Sequence, residues 1–266
     1  MGSDPARAGA AAAVGGALEL RWGAGSRAVA VIPHPDDELW FGGTLRLLAD
    51  RGVRVELIAM SSGEAGTDYL VRDGGRLVGA ALAAWREGEL SESARLLGVA
   101  ELDFWRLPDG RLEALGAQGG DVVARLAGRF RGADLVLTLG RDGIYGHRDH
   151  VAVTRWVEAA LGELGEAAPE AFGVVFEPGV FDAQWTGFSR RRPELAVADW
   201  IAKGRGTVLG EEALRVEIAG VEAVKRAAIR AHKSQLRGPD EAAFFVPGTL
   251  PLMLGVERFE RLGAGR

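Results

Sequence analysis

The sequence predicts an α/β fold, a Rossmann-like and mostly parallel sheet with helices on both faces. Three observations predict it. Short apolar runs alternate with longer helical stretches, several of those stretches end at a glycine, and chemistry-bearing residues cluster directly after two of the runs. Arg27–Ile32 (RAVAVI) is apolar on both faces, the pattern of a buried parallel strand. Glu38–Asp50 follows as a helix carrying Leu39, Leu45, Leu47 and Leu48, with Gly52 as its C-terminal cap. Val53–Met60 is the second strand, and residues 61–80, with glycines at 63, 66, 74, 75 and 79, read as loop. Ala81–Leu97 reads as a helix ended by Gly98, and Glu101–Leu107 as a strand closed by the turn Pro108–Asp109–Gly110. Asp121–Phe130 is helical, Asp134–Leu139 (DLVLTL) is a buried strand, Gly140–Asp149 a loop and His150–Leu161 a helix. Phe172–Glu177 and Ala213–Ile218 add strands and Gly220–Lys233 a helix. Residues 178–210 break the rhythm and read as a lid or insert, whose Trp185 and Trp200 could line a cleft and whose Arg190–Arg192 is a solvated charge run. Residues 1–24, rich in Ala and Gly, read as a flexible leader, so that 25–266 form a single domain.

Composition narrows the function. At 266 residues, with 47% hydrophobic and 26% charged residues, the chain is of ordinary globular make-up. Its net charge is −5 and its three lysines, Lys203, Lys225 and Lys233, are scattered, which argues against a nucleic-acid partner and a polybasic membrane patch. The absence of cysteine excludes disulfides, thiolate nucleophiles, Fe–S clusters and Cys-ligated zinc. No apolar run reaches the ~18 residues of a transmembrane helix. Ala8–Leu18 makes a poor signal peptide, because Asp4 precedes it and only Arg7 adds positive side-chain charge, so a cytoplasmic location is expected.

The chemistry concentrates in two loops. His34–Pro35–Asp36–Asp37–Glu38 follows the first strand, and Tyr145–Gly146–His147–Arg148–Asp149–His150 follows DLVLTL. In an open parallel sheet both loops lie on the edge where ligands bind. Three adjacent carboxylates repel one another unless a cation or a helix N-terminus compensates. Two histidines and one or two carboxylates from separate loops make a three-ligand site with an open position, the pattern of catalytic zinc. Three of the four histidines fall in these loops. The fourth, His232, reads as a packed structural residue, as do Glu38 at its helix start and Glu64 in the loop after the second strand. Trp40, Trp105 and Trp156 lie in regular elements and are expected in the core.

Taken together, these motifs resemble the zinc-dependent deacetylase family called LmbE-like or PIG-L. The resemblance rests on His34–Glu38 with Gly42–Gly43–Thr44, on Ser62–Gly66, and on Arg86, Glu89, Ala94 and Leu97–Gly98 along one helix. It continues through Leu107–Gly110, Tyr145–His150, and Lys225, Ala228, His232, Ser234 and Gln235. Arg148 stands where the family usually has proline. The resemblance implies His34, Asp37 and His150 as ligands of Zn²⁺ or Fe²⁺, and Asp36 as the general base that activates water. It implies His147 as general acid or oxyanion stabiliser, and Asp149 as the residue that orients an adjacent imidazole. Arg86 and Asp109 match sugar-contacting positions, and Tyr145 a mobile aromatic near the carbonyl.

The expected activity is hydrolysis of an N-acetyl or other N-acyl group on an N-acetylglucosamine-type sugar or glycoconjugate. Two other readings stay open: an amidase of a larger thiol-sugar conjugate, and a non-catalytic Rossmann-like sugar or nucleotide binder. Against the binder, no G-x-G-x-x-G follows the first strand and no G-x-x-x-x-G-K-[ST] occurs. A two-metal phosphoesterase needs more ligands than the two loops offer. The expected partner is a small-molecule substrate, and a homo-oligomer is compatible with this reading.

Overall fold

The computed structural model describes residues 20–70, 73–176, 180, 213–238, 240–244 and 248–263. The strands are β1 (Arg27–Ile32), β2 (Arg54–Ala59), β3 (Glu101–Phe104), β4 (Leu135–Leu139), β5 (Glu170–Val175), β6 (Leu214–Glu217) and β7 (Val256–Leu262). The helices are α1 (Gly42–Asp50), α2 (Gly79–Leu97), α3 (Gly119–Phe130), a kinked single turn α4 (Gly143–Gly146), α5 (Arg148–Leu164) and α6 (Glu222–Ala231). One sheet runs in the order β3-β2-β1-β4-β5-β7-β6. The first five strands run parallel to one another, whereas β7 pairs antiparallel with both β5 and β6. The expected mostly parallel sheet is present, with an antiparallel edge.

Alternation of side chains along the strands makes two apolar layers. Ala28, Ala30 and Ile32 of β1, with Leu57 of β2 and Leu137 of β4, pack against Leu48, Leu97 and Ile229 of α1, α2 and α6. Val29, Val31, Ile58 and Val136 pack on the other face against Leu126 and Phe130 of α3 and Val153 and Val157 of α5. Each fully buried Val, Leu, Ile or Phe among them contributes about 1.5–3 kcal/mol by leaving water. Strand order reverses between β1 and β4, so the loops that follow these two strands open at the sheet's switch point.

Three expectations change. The leader reading ran to residue 24, but Leu20 and Trp22 are buried, and Trp22 meets Phe172 of β5 edge-on at a centroid distance of 6.1 Å. The helix expected from Glu38 to Asp50 is a 3₁₀ turn (Asp37–Trp40) followed by α1. Leu107 lies beyond β3, which ends at Phe104. Residues 1–19 and 181–212, with Trp185, Trp200, Arg190–Arg192 and the lid or insert, lie outside the described residues.

The last strand ties the first helix into place. The carboxylate of Glu257 in β7 accepts from the amides of Gly43 (2.9 Å) and Thr44 (2.7 Å) and from the Thr44 hydroxyl (2.6 Å). Lys225 Nζ of α6, fully buried, donates to the same carboxylate at 2.7 Å and to the Met253 carbonyl at 2.6 Å. A distant glutamate thus satisfies the open amides of a helix N-terminus. Gly43 is required beside it, since a Cβ there would fall 2.6 Å from Ile218. Two outcomes follow. Glu257→Ala, which strands the buried Lys225 ammonium, is expected to destabilise by about 3–5 kcal/mol. Gly43→Ala should cost about 1–3 kcal/mol through overpacking and be partly rescued by Ile218→Ala. Urea unfolding of the three variants checks both.

Candidate active site

The loop from β1 turns sharply at its carboxyl end. Asp36 sits at φ 113°, a left-handed conformation that few residues other than glycine adopt. The turn sends three successive carboxylates in different directions. Asp37 points back: its Oδ2 accepts from the His34 amide (3.0 Å) and lies 3.1 Å from His34 Nδ1, while Oδ1 accepts from Trp40 Nε1 at 3.2 Å. Glu38 points into the core, where Ser93 Oγ and His232 Nε2 each approach Oε1 to 2.6 Å and Oε2 accepts from the Asp36 amide at 3.0 Å. Asp36 faces Arg86 Nη2 at 3.2 Å.

The loop after β4 supplies the other half. Ile144 at φ 68° is a strained position for a β-branched residue. It is held by an amide hydrogen bond to Asp142 Oδ1 at 2.8 Å, and it redirects the chain toward Tyr145 and His147. α5 then begins at Arg148 and carries Asp149 and His150 inward on its first turn. His150 Nδ1 donates to the Gly143 carbonyl at 3.2 Å, so Nε2 faces Asp37 Oδ2 at 3.3 Å. Asp149 accepts from the Leu112 amide at 3.0 Å through Oδ1 and lies 3.3 Å from His34 Nε2 through Oδ2. Asp109 Oδ1 lies 3.2 Å from the same His34 nitrogen, and its Oδ2 accepts from the Ala65 amide at 2.8 Å. Glu64 in turn accepts from the Asp109 amide at 2.8 Å.

The electrostatics follow from this packing. Burial raises the Asp37 carboxyl, but the hydrogen bond to His34 and that ring's positive charge outweigh it and hold the group below the usual carboxylate range. Burial depresses His150 to about 3, so its ring is neutral. Burial also works against His34, but its hydrogen bonds to Asp109, Asp149 and Asp37 hold it well above its ordinary value. Asp36 is pushed up to about 7 by burial, against the pull of Arg86. Burial and the nearby His34 keep His147 below its ordinary value, and its Nδ1 accepts from the Asp149 amide at 3.3 Å. The proton of neutral His147 therefore sits on Nε2. Burial lowers His232, but the carboxylate of Glu38 more than reverses this.

The donor set fits a divalent cation. A neutral His150 with its proton on Nδ1 turns the Nε2 lone pair toward an ionised Asp37 oxygen, and two acceptors at 3.3 Å repel unless a cation lies between them. Replacing the proton on His34 Nδ1 would leave Nε2–H donating to Asp149 or Asp109, the carboxylate support common behind metal-bound imidazoles. Two groups of three also bring one potential ligand atom each within 4.8 Å of one another: His34, His147 and His150, and His34, Asp109 and Asp149.

A cavity of about 230 Å³ opens over this cluster, lined among others by His34, Asp36, Asp37, Tyr145, His147 and Phe244. All nine sequence-derived site residues lie in or around it, and they divide into kinds. Arg86 borders the cavity but is buried beneath the Asp36 loop, donating to the carbonyls of Pro35 and Gly63, the latter at 3.1 Å. Asp109 and Asp149 hold His34. Trp40, Trp105 and Trp156 are buried as expected, and Trp40 additionally touches Asp37. Phe244 and Ser93 were not anticipated. Phe244 follows a stretch without periodicity, whereas Ser93 falls seven residues after Arg86, on the face of α2 that also carries Glu89.

Fold and site together define a Rossmann-like α/β protein with a His/Asp centre suited to a divalent cation. The chain belongs to the PIG-L family, described as GlcNAc-PI de-N-acetylase, whose model matches residues 29–161. It is 31% identical to the 1D-myo-inositol 2-acetamido-2-deoxy-alpha-D-glucopyranoside deacetylase of Streptomyces avermitilis, over 79% of this chain and 83% of that protein. Among solved structures it resembles N,N'-diacetylchitobiose deacetylase from Pyrococcus horikoshii (TM-score 0.59, 23% identity, 89% of this chain and 84% of the other). It also resembles GalB, the 4-carboxy-2-hydroxymuconate hydratase from Pseudomonas putida (TM-score 0.57, 18% identity, 91% and 97%).

Gly63, at φ 73°, leaves no room for a side chain, because a Cβ would lie 2.2 Å from Arg86 Nη1. Gly63→Ala is therefore expected to expel the guanidinium and destabilise by about 1–3 kcal/mol, with a loss of activity larger than the fraction unfolded explains. Urea unfolding and turnover on the same preparation check this.

Proposed function

We propose that this protein is a zinc-dependent N-deacetylase. It hydrolyses the N-acetyl group of a small N-acetylglucosamine-type sugar or glycoconjugate, in the cytoplasm, to a free amine and acetate. One observation carries the reading: Asp37 Oδ2 lies within 3.1 Å of His34 Nδ1 and 3.3 Å of His150 Nε2 on the floor of a cavity walled by Asp36 and His147. The activity named for the Streptomyces avermitilis relative supports it.

His34, Asp37 and His150 would hold the ion. When bound, it supplies a Lewis acid that polarises the amide carbonyl and lowers the pKa of water toward about 7. Asp36 takes the proton of the attacking water. Its carboxyl is raised to about 7 and is fixed by Arg86, so it can accept a proton near neutrality. The carbonyl oxygen, gaining negative charge as water adds to the carbonyl carbon, is met by the Nε2–H of His147. A neutral His147 suits that donor role, so the proton delivered to the departing nitrogen comes from Asp36. Tyr145 stands beside both rings, 5.8 Å from His147 and 5.3 Å from His150 between centroids.

Asp36→Asn is the cleanest test, because asparagine adopts the left-handed backbone readily. The expected outcome is one equivalent of metal in wild type and variant alike, with amine release from N-acetylglucosamine conjugates reduced by about 10²–10⁴ in the variant. A wild-type protein that holds metal yet hydrolyses none of a panel of N-acetylated amino sugars would overturn the reading. Chelation should abolish turnover, and re-addition of Zn²⁺ against Fe²⁺ identifies the ion that restores it.

The protonation state of His147 gives a further expectation. A histidine required as a cation would lose activity as pH rises through its pKa, whereas a neutral donor imposes no such alkaline limb. His147→Gln should therefore lower kcat by about 10²–10³, by the same factor at pH 7 and pH 9. A variant defect that shrinks toward alkaline pH would instead mark His147 as the acid.

A further inference from the structure

We propose that the buried pair Glu38–His232, with Ser93, is a positioning device for Asp36, setting the orientation of the base without touching substrate; this rests on the deacetylase reading above. Glu38 and His232 are both fully inaccessible to solvent. A helix start does not need such a pair, since an aspartate or serine at its own N-terminus serves as well. Here the carboxylate is turned away from solvent and has three partners. One is the amide of Asp36 itself, at 3.0 Å on Oε2. The other two, Ser93 Oγ of α2 and His232 Nε2 at the end of α6, share Oε1 at 2.6 Å each. His232 reaches Glu38 across 194 residues of sequence. Its second ring nitrogen, Nδ1, is buried with no hydrogen-bond partner among the described residues, where the ring's polar contact is with Glu38.

The residue that Glu38 grips is the strained one. Asp36 at φ 113° persists only if its surroundings over-determine it. Two clamps do so. Arg86 holds the Pro35 carbonyl and the Asp36 carboxylate, and Glu38 holds the Asp36 amide. Both clamps are anchored on one face of α2, through Arg86 and Ser93. Glu89, between them, accepts from the Ser234 amide at 2.8 Å and hydroxyl at 2.6 Å, and so fixes the segment that bears His232. Removing His232 leaves Glu38 a buried carboxylate without its imidazole, free to turn and release the Asp36 amide.

The experiment compares His232→Gln, Ser93→Ala and Asp36→Asn, each alone, and His232→Gln combined with Asp36→Asn, per equivalent of bound metal in the purified full chain. For His232→Gln the expected result is kcat lower by about 10–100-fold with KM and metal content within about twofold of wild type, since orientation of a base acts on the transition state. Ser93→Ala removes one hydroxyl, keeps the ion pair, and should lower kcat by about two- to fivefold; it carries the test if His232→Gln does not fold. In the Asp36→Asn background His232→Gln should have no further effect on the residual rate, because both act through one group. A kcat per metal-loaded enzyme unchanged in both His232→Gln and Ser93→Ala, or His232 and Asp36 effects that multiply, would overturn the proposal. Absence of turnover in the wild type would instead strike the deacetylase reading, and the two failures are thus told apart.

Discussion

Three consecutive carboxylates, Asp37 and Glu38 buried and Asp36 partly so, must each be neutralised separately, and the architecture around the site is organised by that need. Asp36, Asp37 and Glu38 lie within one turn at the end of β1. Asp36 meets Arg86 from α2, Asp37 meets His34 and, from α5, His150, and Glu38 meets His232 at the end of α6. The helices that deliver these partners lie on opposite faces of the sheet, α2 and α6 on one and α5 on the other. Stripping any one carboxylate of its partner leaves an uncompensated charge out of water, a far larger penalty than the loss of an exposed ion pair. The left-handed backbone at Asp36 is a consequence: a regular helix would send adjacent side chains around its axis at fixed intervals, whereas the turn aims each at its own counter-charge.

Where the sequence was informative, it was so because a local rule applied. β1 and β4 read as apolar on both faces, and the two His-bearing loops follow them directly, so both strands and the edge on which the loops meet could be read. β7 could not. Its Val256, Phe259 and Leu262 are spaced by three, a helical interval, because Phe259 packs on one face of the sheet and Leu262 on the other. Its inward Glu257 breaks the apolar alternation because it serves α1. Leu20 and Trp22 stayed hidden behind a run of alanine and glycine, and their burial depends on β5, about which nothing local informs. The second ends of the ion pairs were invisible for the same reason. Lys225 and His232 sit on a short helix whose pattern is ordinary, and only the folded chain brings them to Glu257 and Glu38.

The likeness to a hydratase as well as to a deacetylase shows that the sheet and its helices do not by themselves determine a reaction. The chemistry of this chain lies in a few ångströms: a neutral His150 with its lone pair toward an ionised Asp37, and two further carboxylates behind His34. These are the features of a centre built to hold positive charge.

The capping of α1 by Glu257 bears on the order in which the protein can be completed during synthesis. The carboxylate closes a contact across 214 residues, and it comes from the last strand. While the ribosome is still adding the strands before β7, the Gly43 and Thr44 amides and the Lys225 ammonium have no shared acceptor. A nascent chain can collapse around β1, β2 and β4, but the segment joining the site loop to α1 is not secured until β7 emerges. The centre is thus completed only after β7 has been made, later than the strands whose loops carry it.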